Sequence, residues 1–196
     1  GEAHFQGETI TGPQGGQLVM ATDGSWRYSI DNGLPAVQKL GAGVTVQEHF
    51  TVHSADGTTH EIVATVTGTN DRPVLSAASG AASEGGAVIS GQMSVVDVDG
   101  GDTARFGTGV ALPAGFALAP DGGWTFDPSG AAYQSLGVGQ TMDLRIPVTV
   151  TDSAGATDTQ DLVITVTGTN DGPVLQSAVG SAREDGAIAS GRMVGT

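Results

Sequence analysis

An eleven-residue segment, Thr65-Val66-Thr67-Gly68-Thr69-Asn70-Asp71-Arg72-Pro73-Val74-Leu75, recurs as Thr165 through Leu175 with Arg72 replaced by Gly172. The spacing is 100 residues, and the following blocks keep it. Glu84-Gly85-Gly86-Ala87 returns as Glu184-Asp185-Gly186-Ala187, and Ser90-Gly91-Gln92-Met93 as Ser190-Gly191-Arg192-Met193. Upstream, Asp23-Gly24-Ser25-Trp26-Arg27-Tyr28 returns as Asp121-Gly122-Gly123-Trp124-Thr125-Phe126 at a spacing of 98, so a two-residue insertion lies between. A repeat this long is a whole domain rather than one turn of a solenoid. It matches the roughly 100 residues of an immunoglobulin-like sandwich.

The phase of the repeat follows from Glu2-Ala3-His4-Phe5, which is similar to Asp102-Thr103-Ala104-Arg105-Phe106. The chain then begins about a third of the way into a unit. On this phase, residues 1–70 are the C-terminal part of a first repeat, 71–170 a complete β-sandwich repeat, and 171–196 the opening strands of a next one. Two units of about 98 residues are the alternative phase. On the first phase, residues 171–196 leave a strand edge open and are expected to complete the 1–70 half of a neighbouring molecule by strand exchange.

Local patterns predict an all-β chain. No helical apolar periodicity persists for three turns, and thirty-two glycines with eight prolines favour turns. Leu18 to Ile30 reads as a hairpin around Asp23-Gly24, with Trp26, Tyr28 and Ile30 alternating onto one face. Phe116 to Phe126 repeats it around Asp121-Gly122. A second hairpin runs from Glu48 to Ser54, turns near Asp56-Gly57 and returns through Ile62, Ala64 and Val66. Its counterpart carries Ile146, Val148 and Val150, then Leu162, Ile164 and Val166. One apolar and one polar face per strand is the pattern of an antiparallel sandwich. Ala36 to Gly41 and Ala132 to Gly137 each predict a short helical turn capped by glycine.

Charge narrows the function. Twenty-one acidic residues against seven basic ones give −14, and Lys39 is the sole lysine. A nucleic-acid partner requires a basic face, and an anionic membrane surface would repel this chain. No apolar stretch is long enough to insert into a bilayer. Self-repulsion of this size opposes compaction, which divalent cations would relieve; plain solubility is the alternative reading. With no cysteine, stability must come from core, repetition or metal.

The acids cluster. Asp97-Val98-Asp99-Gly100-Gly101-Asp102 holds three carboxylates within six residues, and alternate acids in a glycine-rich loop can converge on one Ca2+, a hard cation that takes six to eight oxygens. A solvated acidic turn is the alternative. Asn70-Asp71 and Asn170-Asp171 precede Pro73 and Pro173 at the presumed junctions, and Glu84 and Glu184 follow each by the same interval. Asp56 and Asp152, at the hairpin turns, read equally as turn formers and as ligands, whereas Asp23 and Asp121 read as turn residues. His53 and His60 flank a turn but differ in facing, His60 carrying inner-face parity, which argues against zinc. Asp127-Pro128 reads as a turn. With no nucleophile elbow and no phosphate loop, a non-enzymatic chain is expected. The rival is a carbohydrate- or ligand-binding module in which Trp26 or Trp124 stacks on a sugar; both alternate with core residues, which favours burial.

These residues together resemble the VCBS and cadherin-like tandem repeats of large RTX adhesins. The resemblance rests on Asp23 to Tyr28, Val37 to Gly43, Val66 to Asp71 and Asp97 to Asp102. It implies a non-enzymatic, calcium-stiffened stalk, exported by type I secretion to the bacterial surface, that projects an adhesive tip and supports biofilm formation. Its partners would be neighbouring repeats of the same polypeptide. By similarity to cadherin-like junctions, Asn70 and Asp71 should share Ca2+ with Asp97 and Asp99. Glu84 should face the next junction with Asn170 and Asp171, whose partner acids would follow Thr196.

Overall fold

The computed structural model describes residues 4–173, 175, 177–186, 188 and 190–193, and its regular structure is fourteen strands with one short helix. The Asp-Gly turns fold first in the logic of the chain. Strands β2 (Gln17–Met20) and β3 (Trp26–Ser29) pair antiparallel with Met20 opposite Trp26. Gly24 takes the left-handed conformation, φ 87°, that closes this turn. Strand β1 (Glu8–Thr11) adds to the far edge of β2. Strands β4 (Thr45–His53) and β5 (Thr59–Thr67) form the long hairpin, and inward positions of these strands build a core of Leu18, Met20, Phe50, Val52 and Ala64. We call β1–β5 the first unit.

The hairpin turn offers a local check. The Asp56 carboxylate accepts hydrogen bonds from the Ser54 hydroxyl and, at 3.0 Å, from the Thr58 N–H. The hydroxyl and then the backbone bond hold its pKa down at about 2 against the ordinary 3.8. Because the folded value is the lower one, the turn's contribution to stability is complete above pH 3.8 and is lost as pH falls through about 2. Carbon-detected NMR should show Asp56 titrating well below the ordinary carboxyl value of 3.8; titration at that ordinary value would remove the capping account.

The remaining strands make a second unit. Strand β6 (Val74–Leu75) pairs with β9 (Val95–Val96). One sheet has the order β10 (Arg105–Gly107), β13 (Thr141–Thr151), β14 (Thr157–Thr167), β7 (Ala78–Ser83); the other is β11 (Phe116–Leu118), β12 (Gly123–Phe126), β8 (Ile89–Gln92). Ile146, Val148, Val150, Leu162, Ile164 and Val166 from the first sheet meet Phe116, Trp124 and Phe126 from the second. These side chains are nearly fully buried, and each such burial contributes about 1.5–3 kcal/mol. Two sheets closed over one core make the predicted sandwich.

Several expectations change. Among the described residues the strand pairing is antiparallel except at one edge, where β7 runs parallel to β14 from Leu162 opposite Ala78 to Thr167 opposite Ser83. Small inward residues allow it: a Cβ on Gly80 would lie 2.8 Å from the Trp124 ring. Trp124 is 5% exposed, but Trp26 is 52% exposed. The difference is the cover, since β7 and β8 roof Trp124 while β3 and β5 carry no strand on their outer edges among the described residues. Helix α1 (Pro35–Gln38) forms as predicted, with Pro at its start, whereas residues 131–135 form turns without helix. The left-handed glycines there are Gly43 and Gly139, φ 73° and 75°, two residues beyond the predicted caps. His60 has the inward parity, opposite Val52, yet is exposed at the strand end, where its ring meets Phe5 edge-on.

Glu48 was hidden by an apolar pattern. It shares strand parity with the core residue Phe50 and the half-buried Val46, is fully buried, and accepts the Tyr28 O–H at 2.6 Å and the Gln14 N–H at 2.7 Å. Gly12 and Gly16 leave its carboxylate room, since a Cβ on either would overlap it. Burial, then the hydrogen bond and charge of Glu48, push the Tyr28 hydroxyl far above its ordinary pKa.

Candidate metal centre

Three chain segments converge beside the β13–β14 turn. The loop after β9 carries Asp97, Asp99 and Asp102; the turn itself begins with Asp152; the segment after β5 brings Asn70 and Asp71. Hydrogen bonds tie them together. Asn70 Nδ2 donates to Asp152 Oδ2 at 2.8 Å and to the Asp71 carbonyl at 2.7 Å, and the Asp71 N–H donates to Asp99 Oδ2 at 2.8 Å. Asp97 Oδ1 accepts the Asp99 N–H at 3.0 Å. Asp102 Oδ1 accepts the N–H of Thr103 at 3.1 Å and of Ser153 at 3.3 Å. Asp152 Oδ1 accepts the N–H of Ala154 and Ala156 at 2.9 and 2.8 Å.

Carboxylate oxygens of Asp97, Asp102 and Asp152 all lie within 4.8 Å of one another. Asp99 is 6% exposed and Asp152 7%. At such separations and an effective dielectric of about 20, two like charges repel by about 3 kcal/mol per pair. No ion pair among the described residues offsets this: the three present are His49–Glu61, His53–Glu8 and Arg145–Asp161. Asp152 is kept ionised instead by donors, its pKa lowered first by the Asn70 amide and then by the backbone N–H groups of the turn. Asp97 Oδ2 and Asp99 Oδ1 are buried without any hydrogen-bond partner. Buried carboxylate oxygens rarely go unsatisfied. Two such atoms beside an all-oxygen cluster fit a hard divalent cation, and the absence of His or Cys donors at the cluster disfavours zinc.

The first unit supplies one wall. The Gly100 N–H donates to the Lys39 carbonyl at 3.0 Å. Gly41, Ala42 and Val44 line, with Asn70, Asp99, Asp102 and Ser153, an open cleft of about 170 Å³. A Cβ on Gly41 would sit 3.6 Å from Asp99.

Of the residues predicted from sequence, Asn70, Asp71, Asp97, Asp99 and Asp102 come together here. Glu84 does not: it lies past the other end of β14, 3% exposed, where Oε2 accepts the Thr169 N–H at 3.0 Å and Oε1 is buried without a partner. That places it beside Asn170 and Asp171, both exposed. Glu184 is also exposed. Asp152 is the member read only as turn or ligand. It caps its turn and stands in the carboxylate cluster, and its signal was the alternation Val148, Val150, Asp152, which points the carboxylate to the core side. Asp127, by contrast, is a turn residue, accepting the Ser129 N–H at 2.9 Å.

Fold and site define a sandwich module whose acidic end is tied to the linker entering it. The bacterial cadherin-like domain matches residues 70–168, just over half of the chain, and the chain belongs to that family. A search of curated proteins gives no match. Among solved structures, the extracellular cadherin domains 1–4 of protocadherin gamma B7 align with a TM-score of 0.50 and 17% identity over 94% of this chain and 44% of that one. The human desmocollin-1 ectodomain aligns at 0.48 and 16%, over 89% and 35%. Mouse cadherin-23 EC22–24 aligns at 0.48 and 15%, over 86% and 53%. The chain thus spans about a third to a half of these structures, and the protocadherin likeness agrees with the cadherin-type sandwich fold. No helix of the described residues is long and apolar enough to cross a membrane.

Proposed function

We propose that the chain is a run of extracellular, calcium-stiffened extender repeats in the stalk of a large bacterial surface adhesin, with a mechanical rather than a catalytic role in adhesion and biofilm formation. The observation that carries this is the pair of partnerless buried oxygens on Asp97 and Asp99, at the point where the linker Asn70-Asp71 enters. Asn70, Asp71, Asp97, Asp99, Asp102 and Asp152 would hold one or more Ca2+ ions. The ion's contribution is charge: it neutralises the carboxylates and fixes the linker to the second unit. On this reading 71–170 is the complete repeat, and Glu84 with Asn170 and Asp171 awaits the acids of a following unit. Type I secretion suits such a chain, since the acids repel in low-calcium cytosol and folding gains the ion's binding energy outside the cell. The partners are neighbouring repeats, with strand exchange between chains where an edge is open.

The test is junction rigidity. With calcium, 15N relaxation should give both units one common tumbling time, and in chelator two faster ones. Titration calorimetry should show calcium binding that a magnesium titration does not reproduce. An absence of calcium heat at millimolar concentration would overturn the proposal.

A further inference from the structure

Two of the chain's seven Lys and Arg residues stand at the rim of the carboxylate cluster. Lys39 caps the end of helix α1, and its carbonyl accepts the Gly100 N–H at 3.0 Å. Two residues on, a Cβ on Gly41 would lie 3.9 Å from Asp99 Oδ1, the oxygen that is buried without a partner. Arg72 follows Asp71, whose N–H donates to Asp99 Oδ2 at 2.8 Å, and precedes the buried Pro73. The backbone therefore anchors one cation beside Asp99 from the first unit and another from the linker. Both side chains are exposed, and neither takes part in an ion pair among the described residues. Arg105 is different: it pairs opposite Thr151 with outward parity, whereas Asp152 has inward parity, so it belongs to the far face of the sheet.

Neither rim cation is a requirement of the fold. Lys39 aligns with Ser135 and Arg72 with Gly172, both neutral. The local backbone repeats all the same. The Leu136 N–H donates to the Tyr133 carbonyl at 3.2 Å, as that of Leu40 does to Val37 at 3.0 Å. Gly168 crosses close to the Leu136 carbonyl as Gly68 crosses close to that of Leu40. The positive charge is thus a property of this junction, laid over a backbone that forms without it.

We infer that Lys39 and Arg72 are tethered counter-charges that set the calcium threshold of this junction, an inference that rests on the metal-centre reading above. Asp71, Asp97, Asp99, Asp102 and Asp152 meet here. While the cluster is empty, the ammonium and guanidinium on their flexible stems offset part of its mutual repulsion. The same two charges oppose the entry of a divalent cation. They stabilise the empty junction and weaken the filled one, so the junction holds together at low calcium and exchanges side-chain charge for the ion as calcium rises.

Lys39→Gln, Arg72→Gln and the double variant of the full chain test this by calcium titration calorimetry and by melting in chelator. At low salt each single change should tighten calcium binding by roughly threefold, the size of one charge acting on a divalent ion across about 10 Å of water. Each should also lower the melting temperature in chelator. Lys39→Arg and Arg72→Lys keep the charge and should bind calcium as the parent does. Arg145→Gln removes an equal charge seven positions before Asp152 (152 − 145), roughly 23 Å away along a strand, and should leave the affinity unchanged. In about 1 M sodium chloride, where the screening length is about 3 Å, parent and variants should converge, because the cations are exposed even though the acids are not. Parental calcium affinity in every Gln variant would overturn the inference and leave the metal centre standing. Equal tightening by Arg145→Gln would reduce the effect to net charge and overturn it as well. A parent chain that gives no calcium heat would overturn the metal centre and the inference together.

Discussion

Millimolar calcium should raise the melting temperature of the chain by about 10–20 °C above its value in chelator. The size follows from mass action. At one hundred times its dissociation constant, a ligand that binds only the folded state contributes about 2.7 kcal/mol, and each kcal/mol shifts a domain of this size by about 4–8 °C. Relief of carboxylate repulsion is already contained in that binding energy and is not added to it. Sodium chloride at matched ionic strength should give a much smaller rise, because the cluster is buried enough that bulk screening reaches it poorly. Magnesium should fall well short of calcium, since it prefers strict octahedral geometry and keeps its waters. Superimposable melting curves in calcium and chelator would show that the cluster is only a hydrogen-bonded turn.

How far the sequence foretold this arrangement depends on which interactions are local. The hairpins were legible because Asp-Gly turns and two-residue alternation are written within a few positions, as at Asp23-Gly24 and Phe50-Val52. The acidic loop was legible for the same reason: Asp97, Asp99 and Asp102 announce one another. Asp152 is brought to them by the β13–β14 hairpin and by Asn70, eighty-two residues away, and no local pattern carries that. Trp26 and Trp124 sit in near-identical motifs, so alternation predicts burial for both. Their fates differ because cover comes from β7 and β8, which are remote in sequence. Glu48 shows the opposite failure, an acid on a strand's inner face whose solvation is replaced by the Tyr28 hydroxyl and the Gln14 N–H, in space left at Gly12 and Gly16.

Asp99→Asn should reverse the sign of its effect with calcium. In chelator the variant should melt several degrees above the parent, a gain of roughly 1 kcal/mol or more from removing one charge beside Asp97, Asp102 and Asp152. The amide oxygen can still accept the Asp71 N–H that Asp99 Oδ2 accepts at 2.8 Å, so the linker bond survives. The amide Nδ2 takes the place of the buried Oδ1 that has no partner, so a charged, unsatisfied acceptor becomes a neutral donor. In millimolar calcium the order should invert, the variant losing most of the parent's gain because the amide is a weaker, neutral ligand. Asp121→Asn is the control: its carboxylate is exposed and caps the Gly123 N–H at 3.0 Å in a turn formed by β11 and β12, so its calcium increment should equal the parent's. Crossing curves separate the two roles that a carboxylate can hold at this position. A cap that only stabilised the loop would make Asp99→Asn neutral or destabilising by the same amount in both media, and that result would remove Asp99 from the metal centre.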